Sequence, residues 1–136
     1  MIYIYSDASV YAGKKATSAC IVLQDSKFMG KKAFGDCPVA TPLYAEVWGV
    51  VKALEYAKEV CGGFEGEDIM VYTDAIAVLD SLQYTHTNSK EQFDMDVTLQ
   101  STVRKYNVDV RLTKGHQRIQ NPNKFVDFLA NQKLRS

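Results

Sequence analysis

Asp7 and Asp74 stand in near-identical settings, Y-S-D-A at residues 5–8 and Y-T-D-A at residues 72–75, each behind an apolar run of strand composition. A strand that stops at a carboxylate delivers an anion to the carboxyl edge of its sheet, where open α/β sheets hold their ligands. Taken singly, each has a plainer explanation: Asp7 suits a turn, and Asp74 suits the cap of a helix starting at Ala75. Glu46 is harder to explain away. With Val50, Ala53 and Ala57 it recurs at helical spacing, so it leads the stripe that the helix should bury, and an acid aimed at a core needs a partner. The alternative is a first-turn acid favoured by the helix dipole, ordinarily on the outer face. Asp127 aligns with Ala130, Asn131 and Leu134 in the opening turns of a C-terminal helix, where a dipole-stabilised surface acid is an equally good account. Together the four mean more, because carboxylates brought close repel one another unless a cation neutralises them. Hard oxygen donors suit Mg²⁺ or Mn²⁺ with water completing the octahedron, so a divalent-metal site is the expected chemistry.

Positioning such a site is the work of the elements around it. Residues 1–6, 17–23 and 28–36 are rich in Ile, Val, Tyr and Phe and are separated by AGKK and QDSK, which predicts three antiparallel strands. From Tyr44 the apolar period becomes helical through Val60, and CGGF ends that helix. DIMVYT reads as a strand covered on both faces, followed by a helix carrying Ala75, Val78, Leu79 and Leu82 on one stripe. Residues 93–106 predict a helix and VDVRLT a half-buried strand. After the loop KGHQRIQ, Asn121 and Pro122 open a last helix as cap and first-turn residue. The order predicts an α/β fold: one domain over residues 1–136, a mixed five-stranded sheet with its first three strands antiparallel and its later strands parallel, and helices on both faces.

Composition narrows the function classes. Sixteen basic against sixteen acidic residues leave no net charge, so a polyanionic partner must be held by local patches rather than bulk attraction. Three cysteines, Cys20, Cys37 and Cys61, are too widely spaced for a zinc ribbon or redox pair and read as reduced core thiols. No apolar run reaches membrane-spanning length and the amino terminus reads as a strand, so a soluble cytoplasmic protein is expected, with no membrane partner.

The motifs resemble those of the type 1 ribonuclease H family and the related reverse-transcriptase-associated ribonuclease H domains. YSDAS resembles its first acid motif, YAEVWGVVKALEYA its glutamate helix, VYTDAIAVLDSL its second aspartate motif, and KGHQRIQNPNKFVDFLANQ its histidine loop and final acidic helix. The resemblance implies a ribonuclease H-like fold and a metal-dependent endoribonuclease that cuts the RNA strand of RNA–DNA hybrids to 5′-phosphate products. It further implies that Asp7, Glu46, Asp74 and Asp127 hold two Mg²⁺ ions, replaceable by Mn²⁺, and that His116 assists proton transfer or product departure from a loop beside them. A solvated loop histidine is the alternative for His116. Ser9, Lys114, Arg118, Asn123 and Asn131 are candidate substrate contacts, with Lys14, Lys15 and Lys124 flanking.

The sequence also departs from the family pattern. Ala8 replaces the usual glycine after the first aspartate, Ala75 replaces a serine, and Pro42 and Leu43 stand where amides commonly read the hybrid groove. Recognition of 2′-hydroxyls is therefore expected to weaken while the metal chemistry stays. Residues 84–92 are too short and too weakly basic for the protrusion with which some members grip substrate, which leaves a protein partner as a source of grip. Trp48 is expected in the core and His86 in solvent. Two other functions stay open: a nuclease of the same fold with another nucleic-acid substrate, and a non-catalytic nucleic-acid or protein-binding module.

Overall fold

A computed structural model describes residues 1–11 and 14–113. Five strands form one sheet in the order β3-β2-β1-β4-β5: β1 (Ile2–Tyr11), β2 (Lys15–Gln24), β3 (Lys27–Phe34), β4 (Ile69–Thr73) and β5 (Asp109–Leu112). β1 to β3 are antiparallel neighbours, and β4 runs parallel to both β1 and β5. The mixed five-stranded sheet is the one expected. Its β2–β3 hairpin closes through Asp25 and Ser26, both at positive φ (51° and 67°), the backbone twist that matches a two-residue reversal to its flanking strands.

Among the described residues three helices pack on the sheet: α1 (Pro42–Val60), α2 (Ile76–Gln83) and α3 (Lys90–Tyr106). α1 begins two residues before the predicted Tyr44. Thr41 caps it, its hydroxyl accepting from the Tyr44 amide at 3.4 Å, and Pro42 occupies the first turn, where its missing N–H is not needed. Gly62, at φ 73°, lets the chain leave the helix while the Gly63 amide returns to the Lys58 carbonyl at 2.8 Å. α3 starts earlier than predicted, at Lys90, because Ser89 caps it by accepting from the Gln92 amide.

Val47, Val50 and Leu54 of α1, Val78 of α2 and Leu99 of α3 close over Ile2, Ile4, Val22 and Val71 in a single core, each such side chain contributing about 1.5–3 kcal/mol by leaving water. Trp48 joins it at 5% exposure, as expected, edge-on to Phe34. Cys20 is buried there, and burial pushes its thiol up to about 12; Cys37 and Cys61 are only half-buried, so a core position holds for one of the three. On the opposite face Tyr72 stacks on Tyr5 at 5.2 Å and on Tyr3 at 6.2 Å, beside Ala19 and Ile21. Helices are expected on both faces; the remaining predicted helix, over residues 121–134, lies outside the described residues.

Candidate metal centre

β1 pairs with β4 only from Ile2 to Tyr5, with Tyr5 opposite Tyr72. Asp7 and Asp74 therefore each lie two residues beyond the same register pair. Side chains alternate along a strand, which is why the repeated tetrapeptide yields both a tyrosine stack and, one alternation further on, a pair of acids. One expectation needs correction: Asp7 does not end its strand. β1 continues to Tyr11 because β2 still pairs with it, Asp7 opposite Ala19, so Asp7 is interior to β1 and terminal only with respect to β4.

Glu46 arrives from α1. It lies past the helix's first turn, which contains no acid, so dipole stabilisation of that turn does not account for it. Close approach of helix and sheet does. Gly49, three residues on, lies against Ser18 and Ser6, and a Cβ at that position would run into the Ser18 hydroxyl. That hydroxyl donates to the Asp7 carbonyl at 2.8 Å, so the same contact that admits the helix also grips β1 at the acid. Neither Gly49 nor Ser18 was singled out from sequence, although a glycine inside a strongly helical pattern costs about 1 kcal/mol relative to alanine and marks a packing constraint.

The carboxylates of Asp7, Glu46 and Asp74 converge, one oxygen from each lying within 4.8 Å of the others. Their burial is graded: Asp7 is 5% exposed, Glu46 half-buried and Asp74 exposed. The cluster thus opens to solvent on the Asp74 side. The Asp7 Oδ1 accepts from the Ala8 amide at 2.9 Å. Asp74 does not cap α2; Ala75 is the cap residue, and its amide is satisfied by the Thr73 hydroxyl at 3.1 Å.

Three anions this close repel by about 1 kcal/mol per pair even at the dielectric of water. Among the described residues the donor set is all oxygen, which fits a hard divalent cation such as Mg²⁺ or Mn²⁺. Ser9 lies on β1 one alternation past Asp7, opposite Thr17, and is half-buried. Lys14 folds over the Tyr11 ring at 5.2 Å, at the β1–β2 reversal about 13 Å of strand from Asp7. Asp127, His116, Lys114, Arg118, Asn123, Asn131 and Lys124 lie outside the described residues. A cleft of about 490 Å³ between β3 and α1, floored by Phe34, Trp48 and Tyr56, includes none of the three acids.

His86 contradicts its expected solvation. Its side chain is 18% exposed, and Nδ1 lies 2.8 Å from Oδ2 of Asp96 on α3. Nothing in the polar run around His86 marks it, because its partner is on another element ten residues away.

The family model for RNase H matches residues 1–135. Among solved structures, LC11-RNase H1, isolated from compost by a metagenomic approach, aligns with a TM-score of 0.78 at 15% identity, over 98% of this chain and 95% of that one. RNase H1 from the archaeon Halobacterium salinarum aligns with a TM-score of 0.75 at 20% identity, over 98% of this chain and 97% of that one. The protease–reverse transcriptase of prototype foamy virus aligns with a TM-score of 0.74 at 16% identity, over 99% of this chain and 21% of that one. LC11-RNase H1 has also been solved in complex with an RNA/DNA hybrid. Among curated proteins, none matches this chain significantly.

Proposed function

The chain belongs to the RNase H family, and from that premise we propose that it is a metal-dependent endoribonuclease that hydrolyses the RNA strand of RNA–DNA hybrids. The observation that carries this reading is the convergence of Asp7, Glu46 and Asp74 within 4.8 Å, in a fold whose relative LC11-RNase H1 is known with such a hybrid bound. These three residues would hold Mg²⁺, with Asp127 supplying a fourth carboxylate and His116 a proton-transfer group by resemblance. When bound, a pair of such ions supplies an acidified water as nucleophile and neutralises charge at the leaving 3′ oxygen, giving 5′-phosphate products. The chain's own part is preorganisation. Asp7, held in β1 by its strand partners and by Ser18, forms the fixed floor of the site; Asp74, on the solvent side, faces the direction from which a phosphodiester can enter.

Groove recognition favours a second reading. Pro42 is committed to the first turn of α1 and Leu43 packs against the core, so neither supplies an amide to read 2′-hydroxyls. A nuclease of the same fold with another nucleic-acid substrate follows from that observation, and a protein partner would then supply recognition and grip.

One assay separates the two: cleavage of a hybrid, single-stranded RNA, duplex RNA and duplex DNA, each with Mg²⁺ and with Mn²⁺. Cutting confined to the hybrid's RNA strand supports the first reading, and preference for another arm supports the second. Absence of both cutting and metal binding would return the chain to a binding module. Because loss of a residue that merely orients a ligand already costs about 10–100-fold, Asp7→Asn and Asp74→Asn should each reduce cleavage by more than about 100-fold.

A further inference from the structure

α2 begins two residues after Asp74, so its orientation governs where that carboxylate points. Apolar burial gives α2 little hold. It spans eight residues, fully buries only Val78 and Ser81, sets Leu82 partly buried against the core, and exposes Ile76 at 64%. Its far end is also tied down by polar contacts. The Gln100 amide donates to the Ser81 carbonyl at 2.8 Å. In the connector that follows, the His86 backbone N–H and ring Nδ1 both reach Oδ2 of Asp96, at 2.7 and 2.8 Å, while the side-chain amide of Gln92, on α3 itself, donates to Oδ1 at 2.8 Å.

Asp96 is wholly buried. Burial alone would push its carboxyl up, but the hydrogen bonds from the His86 N–H, the His86 ring and Gln92 outweigh that and hold it below the usual carboxylate range. An ionised carboxylate only accepts, so Nδ1 of His86 carries a proton and donates it to Asp96. The Tyr84 ring lies 4.9 Å from the imidazole, tilted. A buried ionised carboxylate with one oxygen held by the connector and the other by Gln92 of its own helix is a strong, directional fastening.

We propose that Asp96 and His86 form a latch that positions the metal site: pinning the connector of residues 84–89 to α3 fixes α2, and through the start of α2 it fixes the Asp74 carboxylate. His86 is thereby a positioning residue that acts through Asp74. The inference rests on Asp74 being a metal ligand as proposed above.

The test compares His86→Ala with His86→Asn in the full chain. An asparagine amide extends about as far as Nδ1 and can donate to Asp96, whereas alanine cannot. Two quantities are read: amide hydrogen exchange at residues 84–89 and at Ala75 and Val78, without metal, and Mg²⁺ affinity by calorimetry. Alanine should speed exchange at both sets of amides and weaken Mg²⁺ binding about tenfold, the scale of losing an outer partner of a ligand; asparagine should restore most of both. If alanine frees the connector while Ala75, Val78 and Mg²⁺ affinity stay as in the wild type, the latch does not position the site. Equal behaviour of the asparagine and alanine variants would also overturn it. If the alanine variant fails to fold, His86→Gln, which keeps the bulk but moves the donor outward, takes its place with the same expectations. A wild-type chain that binds no Mg²⁺ removes the metal reading instead, and the metal-free exchange at Ala75 and Val78 still decides whether the latch reaches the start of α2.

Discussion

Asp7 and Asp74 share a sequence context but not an environment, and that difference sets what their removal should do. Asp7 is buried in a paired strand, and Asp74 is exposed at the mouth of the cluster. Without metal, neutralising either relieves its repulsion with the other two acids, so Asp7→Asn and Asp74→Asn should unfold in urea at wild-type stability or up to about 2 kcal/mol above it in EDTA. A loss of several kcal/mol in either variant would mean that the cluster is a structural network rather than a cation site. Asp96 should behave oppositely. Its folded carboxyl titrates below an ordinary aspartate's 3.8, so its stabilising contribution is complete above that value and is lost as pH falls through the depressed one. Urea midpoints for wild type and Asp96→Asn at pH 7, 4 and 3 should therefore converge as the pH drops, with Asp96→Asn less stable by about 3 kcal/mol at pH 7; a constant gap would show that the carboxyl's charge is not what holds the connector. At this scale the sequence was legible where a motif repeats and illegible where a single side chain finds its partner across space. Asp7, Glu46 and Asp74 announced themselves by pattern and spacing, while His86 and Asp96, on different elements, did not.

α1 carries Glu46 to the sheet, and it can do so because Gly49 lets the helix backbone approach Ser18 and Ser6. Gly→Ala in a helix interior ordinarily stabilises by about 1 kcal/mol. Here Gly49→Ala should destabilise by about 1–3 kcal/mol, since the added methyl meets the Ser18 side chain in a packed interior. It should also weaken Mg²⁺ binding by moving Glu46 away from Asp7. Adding Ser18→Gly should recover part of the packing loss, and a double-mutant cycle that comes out additive would remove the clash as its cause. Helix spacing showed that α1 buries Val47, Val50, Val51, Leu54 and Ala57, while Tyr44 and Ala45, buried ahead of Glu46, begin that face earlier. How closely it packs, and that β1 runs on to Tyr11, depend on β2, whose pairing a stretch as polar as S-D-A-S conceals from any reading of apolar alternation.

For the whole molecule, cation binding and folding are linked: ions that bind only the assembled cluster raise stability by about 2.7 kcal/mol at a hundred times the dissociation constant. Thermal melts should therefore shift upward with Mg²⁺, return to baseline with EDTA, and stay flat in Asp7→Asn; a shift of equal size in Asp7→Asn would place the ion elsewhere. The element order as far as β5, the mixed sheet and the membership in the RNase H family were readable from the chain, because strand and helix periods, turn residues and acid motifs are local properties written a few residues at a time. The sequence by itself therefore determined which acids were available and which elements would carry them. Only the tertiary structure decided that Tyr5 pairs with Tyr72 and so brings Asp7 level with Asp74, that Gly49 brings Glu46 within reach, and that Asp96 fastens the connector beyond α2. Those are distances between residues far apart along the chain, and such distances are set by register and packing, which no local pattern encodes.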